Sequence, residues 1–206
     1  MKINLILLAS GNSKRFNGNK LLTKFNNKPL YIYTLDKIKS IKGLSKVIVV
    51  TQYEEIKSRS IDLGFDVVLN QESNLGISNS IILGINKDTS ADGYMFMVCD
   101  QPFIKVNSIN KLIEEFNNGN KGICSVGYKD RLGNPNIFSR KYLSELLSLK
   151  GDIGGKYVLK KHIYDLKIIQ VEDEEELKDI DTRADLSWYI YVYHEGIAFV
   201  AIPLLL

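Results

Sequence analysis

A single α/β domain with a mostly parallel sheet and helices on both faces is the fold class this sequence predicts, on three observations. Short β-branched apolar runs alternate with segments of helical apolar spacing from the N-terminus onward. The first of those runs opens directly into a small, polar, cationic loop around residues 10–20. The length of 206 residues with 45% hydrophobic content suits one well-buried core rather than two full domains.

The elements follow in order. Residues 3–8 are continuously apolar apart from Asn4, as a strand buried on both faces requires. The same run superficially looks like the core of a signal peptide. It is short for one, has a single preceding lysine and leads straight into the loop, so a first strand is expected. A helix near 30–41, a strand at 46–51, a helix at 53–63 and a strand at 66–69 come next, then a helix near 77–86 and a strand at 94–99. Ile109, Leu112, Ile113 and Phe116 mark one face of a helix over 107–117. A strand near 122–128, a Gly133-Asn134-Pro135 turn, helices around 139–149 and 155–161, and a strand at 166–171 complete the series, before an acidic stretch from 172 to 176. Repeats, low-complexity segments and interdomain linkers are absent from the sequence, so one domain over 1–186 is expected, with 187–206 as an atypical C-terminal tail.

Ligands of such sheets bind beyond the carboxyl ends of the strands. If strands 3–8 and 94–99 are neighbours, Ser10-Gly11-Asn12-Ser13 and Asp100-Gln101-Pro102 face one crevice. In the loop, Ser10, Gly11, Asn12 and Ser13 allow a tight turn with N–H groups aimed inward, while Arg15 offers a planar fork of donors and Lys20 a mobile point charge. The expected ligand is a polyphosphate. Neither of two familiar phosphate loops fits. A Walker A loop needs Lys-Ser or Lys-Thr at its end, whereas Leu21 follows Lys20; the dinucleotide fingerprint fails because Ser13 stands where it needs its second glycine.

Composition narrows the classes further. The formal charge of +3 is modest and the lysines are scattered, which argues against nucleic acid as a partner. Cys99 and Cys124 are too few and too far apart for a disulfide framework or a zinc site, and both sit in apolar runs as core thiols would. No apolar stretch is long enough to span a bilayer, and a cytoplasmic enzyme or binding protein is expected. His162 and His194 stand alone, with no triad or metal cluster around either.

Three further places carry candidate chemistry. Asp100 follows an apolar strand, where its charge needs compensation; a divalent cation supplies it, and a cap before Pro102 is the alternative. In 179–186, Asp179 and Asp181 would point the same way on an extended segment, with Asp181 either a second metal carboxylate or, like Thr182, a helix cap. In 70–81, Gly76 permits close backbone approach, and Ser78 and Ser80 offer helix caps or hydrogen bonds to a base.

Taken together, Leu8-Ala9-Ser10-Gly11-Asn12-Ser13-Lys14-Arg15-Phe16-Asn17-Gly18-Asn19-Lys20 resembles the L-A-A-G-x-S-x-R-F-G-x-x-K signature of nucleotidyltransferases with a MobA-like NTP transferase domain. It departs from that signature at Ser10 and Asn17; Asn tolerates positive φ, which suits the second change. Cys99-Asp100-Gln101-Pro102 is similar to the family's Asp-x-Pro metal motif, the 179–186 segment to D-I-D-T-P-E-D-L with Arg183 for the proline, and 76–84 to its base-recognition segment G-x-S-x-S-[LI]-x-x-G. Gly133-Asn134-Pro135 and the Leu149-Lys150-Gly151-Asp152-Ile153-Gly154 loop resemble the acceptor side of the molybdenum cofactor cytidylyltransferase branch, although turn chemistry alone also accounts for them.

The resemblance implies a Rossmann-like three-layer fold of the nucleotide-diphospho-sugar transferase type. It implies nucleotide contacts at Ala9, Ser10, Gly11, Asn12, Ser13, Asn70, Gly76 and Ser80, catalytic roles for Arg15 and Lys20, and a Mg²⁺ site, open to Mn²⁺, at Asp100 and Asp181. It places acceptor binding at Gly133, Asn134, Pro135 and Asp152, and implies transfer of CMP from CTP to molybdopterin or its molybdenum-loaded form, with a molybdoenzyme or chaperone as protein partner. Cytosine rests on Ser10, which narrows the pocket as the alanine of cytidylyl relatives does where guanylyl relatives have glycine. Transfer to a sugar or alditol phosphate, guanylyl transfer from GTP, and nucleotide sensing without turnover are the alternatives.

Overall fold

The computed structural model describes residues 1–13, 15, 16 and 18–186; Lys14, Asn17 and the expected tail at 187–206 lie outside them. In chain order the elements are β1 (Ile3–Ala9), the short β2 (Lys24–Phe25) and β3 (Lys28–Pro29), α1 (Leu30–Ile38), β4 (Leu44–Thr51), α2 (Glu54–Asp62) and β5 (Asp66–Leu69). Then come α3 (Ile77–Lys87), β6 (Gly93–Val98), α4 (Val106–Asn118), β7 (Ile123–Tyr128) and β8 (Arg131–Ser139). The last are α5 (Leu143–Leu147), α6 (Gly155–Lys161) and β9 (Leu166–Gln170).

The main sheet runs β5-β4-β1-β6-β8-β7-β9. Only β8 opposes its neighbours; the other strands share one direction. As expected, β1 and β6 are parallel neighbours, with Leu8 beside Val98, so residues 10–13 and 100–102 emerge at the same sheet end.

Strand alternation builds the three layers. Leu5, Leu7 and Ala9 of β1 point to the side covered by α1, α2 and α4 and pack with Leu35, Ile56, Ile109 and Leu112. Ile6 points the other way and packs with Ile81 and Ile85 of α3, Leu146 of α5 and Val158 and Leu159 of α6. Each such side chain contributes about 1.5–3 kcal/mol by leaving water. Cys99 and Cys124 are free and buried within the first cluster. Burial pushes the Cys124 thiol up to about 12 and Cys99 higher still, as unreactive core thiols.

α3 packs closely on the side chains of β1 and β4 at Gly84. A methyl on Gly84 would come within 2.4 Å of Ile6 Cγ2 and 3.1 Å of Val50 Cγ2. Gly84→Ala is therefore expected to destabilise the protein by about 1–3 kcal/mol through overpacking, despite the higher helix propensity of alanine. A chemical denaturation midpoint at or above that of the unaltered protein would contradict this packing.

Two expectations about local structure are corrected. Gly133-Asn134-Pro135 lies inside β8, and the chain reverses earlier, at Lys129 and Asp130, where Lys129 has φ 52°. A proline survives mid-strand because the β7–β8 register shifts between Ser125 and Gly127, so Pro135 sits at a bulge where no ladder N–H is demanded. The helix expected at 139–149 narrows to one 3₁₀ turn (Arg140–Tyr142) and the short α5.

Candidate active site

The loop after β1 is held from the neighbouring strand. Ser10 Oγ donates to Val50 O at 2.9 Å, Thr51 Oγ1 donates to Ala9 O at 3.0 Å, and Gln52 Nε2 donates to Ser10 O and Asn12 Oδ1, both at 2.8 Å. Tyr53 donates its hydroxyl to Gly11 O at 2.6 Å, and Ser73 Oγ donates to Asn12 Oδ1 at 2.9 Å. Every one of these bonds grips a carbonyl or side chain. Among the described residues nothing accepts from the backbone N–H groups of Gly11, Asn12 or Ser13, so those donors are left for a ligand. Ser13, at φ 49°, also takes Lys20 N onto its Oγ at 3.2 Å, folding the loop back over the crevice.

Lys20 links the two distant carboxylates. Its Nζ lies 2.8 Å from Asp100 Oδ2 and 3.0 Å from Asp181 Oδ1, with its side chain only 11% exposed. Burial alone would lower its pKa, but Asp100, and then Asp181, outweigh that and hold it above the usual lysine value. The ammonium is thus fully charged at neutral pH. Arg15 reaches the same carboxylate from solvent, with NH2 at 2.9 Å from Asp181 Oδ2 and the side chain 77% exposed.

The backbone explains why residues so far apart in sequence meet. Ile180 is buried, and its N–H donates to Asp100 O at 2.9 Å, which docks the 179–181 segment onto the end of β6. Gln101 Nε2 reinforces the join by donating to Asp179 Oδ1 at 2.8 Å. Capping does not use Asp181. Thr182 N and Oγ1 both donate to Asp185 Oδ2, at 2.7 and 2.9 Å, and Asp185 N donates back to Thr182 Oγ1 at 3.1 Å. This reciprocal box makes Thr182 the cap and leaves the Asp181 carboxylate to the cations.

A divalent ion fits this donor set. Asp100 Oδ1 is buried without a hydrogen-bond partner, a costly state for a carboxylate oxygen unless a cation or donor arrives. Among the described residues no group of three or more His, Cys, Asp or Glu side chains is placed to hold a metal. Two carboxylates suffice for an ion that takes its remaining ligands from phosphates and water.

A cavity of about 370 Å³ at this end of the sheet is lined by Ser10, Gly11, Asn12, Ser13, Arg15, Lys20, Gly76, Ser80, Asp100, Asp152 and Asp181, among others. Eleven of the sequence candidates therefore meet in one place. Ala9 and Asn70 do not line it. Ala9 ends β1 beneath the loop, and the fully buried Asn70 stands behind Ser80, donating to its Oγ at 2.9 Å and accepting from Asn79 Nδ2 at 2.8 Å. α3 has no side-chain cap, so capping does not account for Ser78 or Ser80. Gly76 is required at φ 92°, and a Cβ there would stand 2.4 Å from the Gly151 carbonyl carbon; the close approach is to that loop. Asp152, expected on the acceptor side, borders this first cavity instead because Gly76 packs against its backbone.

A second cavity of about 490 Å³ shares Leu8, Ile77 and Val98 with the first and extends between β8 and α6. Gly133 and Asn134 line it, while Pro135 is buried in the strand. Gln52 and Tyr53 are the site residues that sequence reasoning missed. Their signal was positional, since they stand just past the carboxyl end of β4, next to the strand that feeds the loop.

The MobA-like NTP transferase domain family matches residues 5–166. A probable molybdenum cofactor guanylyltransferase of Thermococcus sibiricus is 29% identical over 192 residues, covering 88% of this chain and 94% of that protein. A 3-deoxy-manno-octulosonate cytidylyltransferase of Bdellovibrio bacteriovorus is 33% identical over 116 residues, 56% of this chain and 46% of its own. In three dimensions, Rv0371c of Mycobacterium tuberculosis H37Rv, solved in complex with manganese, superposes with a TM-score of 0.75 at 23% identity, over 93% of this chain and 99% of that one. Among the described residues no helix is long and apolar enough to cross a membrane. A cationic loop, a carboxylate pair and this family match lead to one identification: the chain belongs to the MobA-like NTP transferase domain family and is a nucleotidyltransferase.

Proposed function

We propose that this chain transfers CMP from CTP to a phosphorylated acceptor of the molybdopterin type, releasing diphosphate. An acceptor phosphate oxygen attacks the α-phosphorus, the bond to the β-phosphate oxygen breaks, and the electron pair leaves with diphosphate. The observation that carries this reading is the convergence of Lys20, Asp100 and Asp181 beneath a loop in which, among the described residues, nothing accepts from the N–H groups of Gly11, Asn12 and Ser13. The backbone of Gly11, Asn12 and Ser13 binds the triphosphate, Arg15 and Lys20 offset its charge, and Asp100 and Asp181 hold Mg²⁺, with Mn²⁺ as a substitute. The ion supplies Lewis-acid polarisation at the α-phosphate when bound. No covalent nucleophile from the protein is needed, and catalysis is positioning plus electrostatics.

Cytosine rests on Ser10. Its Oγ is tied to Val50 O, which keeps a side chain fixed in the wall of the nucleotide cavity and leaves less room for a purine. Guanine is the second reading, favoured by the likeness to the probable guanylyltransferase of Thermococcus sibiricus. Diphosphate release from CTP, GTP, ATP and UTP in the presence of molybdopterin tests enzyme against sensor, and no release from any of them would sink the transferase reading. Ser10→Gly is expected to lower the ratio of kcat/KM for CTP over GTP by about tenfold. An unmoved ratio, or a preference for GTP in the unaltered protein, would remove cytosine.

A further inference from the structure

A carboxylate that lines neither cavity joins the two segments carrying Asp100 and Asp181. Glu176 belongs to the 3₁₀ turn Glu174–Leu177, in an acidic stretch that composition alone would leave in solvent, yet it is only 1% exposed. Its Oε2 accepts from Lys105 N at 3.0 Å and from Ser108 Oγ at 2.6 Å, at the start of α4, where Lys105 itself gives no side-chain cap. Its Oε1 is buried with no hydrogen-bond partner, and Lys105 Nζ stands 3.7 Å away. Burying a carboxylate in this state is costly. A glutamate or glutamine at position 108 would serve the Lys105 N–H from within the helix, so capping of α4 does not by itself account for an acid brought in from another part of the chain.

What Glu176 adds is a join across the sequence. Residues 176–181 are fastened to residues 100–108 at three places: Ile180 N donates to Asp100 O at 2.9 Å, Gln101 Nε2 to Asp179 Oδ1 at 2.8 Å, and Lys105 and Ser108 to Glu176 at the far end. Asp100 begins one of these runs and Asp181 ends the other. From α1, Lys37 donates to Pro102 O and so grips the Asp100 loop as well. Burial holds the Lys37 ammonium down to about 8, while the negative charge of Glu176 pulls it back up.

We infer that Glu176 is a positioning residue for nucleotidyl transfer: by clamping residues 176–181 to the start of α4 it sets the spacing at which Asp100 and Asp181 share one divalent ion. The inference rests on the carboxylate-pair reading above. It goes further because that reading needs no residue outside the cavity.

Binding of Mn²⁺ alone, read from the electron paramagnetic resonance signal of the free ion, tests it. Glu176→Ala is expected to weaken Mn²⁺ binding about tenfold, the scale of losing a charge-assisted hydrogen bond, whereas Glu176→Gln, whose amide oxygen still accepts from both donors, should stay within about threefold of the unaltered protein. Ser108→Ala removes one donor and no charge, and should cost about threefold. In the Asp181→Asn background Glu176→Ala should cost nothing further, because the clamp acts through Asp181. The half-saturating Mg²⁺ concentration for diphosphate release should rise in step with these affinities. Three results would overturn the inference and reduce Glu176 to a cap of α4: unchanged Mn²⁺ affinity in Glu176→Ala, or in Ser108→Ala should the first variant not fold; a loss that glutamine does not recover; or an equal loss with and without Asp181. No Mn²⁺ binding by the unaltered protein would instead overturn the carboxylate-pair reading itself.

Discussion

Lys20→Ala is expected to lower nucleotidyl transfer by about a hundredfold to a thousandfold, the scale of losing one preorganised charge at the reacting phosphate. The side chain is largely buried and bonds two carboxylates at once. Its removal also leaves Asp100 with one oxygen deprived of its ammonium and the other already unpartnered. A stability loss of about 1–3 kcal/mol should accompany the kinetic one, and added Mg²⁺ should recover more of it in the variant than in the unaltered protein. Lys20→Arg should not restore the rate, because a planar fork cannot place a single nitrogen between both carboxylates. Initial rates of diphosphate release and thermal midpoints with and without Mg²⁺ check this. A variant with near-normal turnover would mean that Lys20 only staples the two aspartates together.

The contrast between Lys20 and Arg15 shows how far the sequence could be read. Both were legible as cations of a phosphate loop, and the loop itself was legible because an apolar strand opening into Ser-Gly-Asn-Ser leaves few other readings. That the two cations occupy such different surroundings, one 11% and the other 77% exposed, came only from tertiary packing. Strands with continuous apolar runs and helices with regular spacing fell where periodicity put them: β5 and α6 match their expected spans, and α3 and α4 differ by a residue at either end or less. The failures share a cause. β8 was hidden because Gly133-Asn134-Pro135 carries turn chemistry, and a bulge that makes proline harmless mid-strand depends on the partner strand. The β2–β3 hairpin was hidden by its length, though Asn26 and Asn27, at φ 47° and 62°, are the residues a tight hairpin turn demands. Local chemistry also could not say what approaches Gly76: a glycine announces that something comes close, without saying that the visitor is the 151–152 loop of the same chain.

The two-carboxylate site makes the most discriminating demand. Asp100→Asn and Asp181→Asn should each lower metal-dependent turnover by about a hundredfold, since each removes one anionic ligand from an ion that gets only two from the protein. The larger loss is expected at Asp100, whose unpartnered Oδ1 is the oxygen with no alternative occupation, while Asp181 shares both of its oxygens with Lys20 and Arg15. If both hold one ion, the double variant should be little worse than Asp100→Asn alone, because the second substitution damages a site already lost. Lys20 touches both carboxylates and could mimic this coupling by itself. Titrating Mg²⁺ separates the cases: the half-saturating concentration should rise in each aspartate variant but not in Lys20→Ala, where the carboxylates remain. Fully additive losses with unshifted Mg²⁺ dependence would mean that Asp100 and Asp181 serve only to position Lys20, and a normal rate in Asp181→Asn would return that residue to the flank of the Thr182 cap.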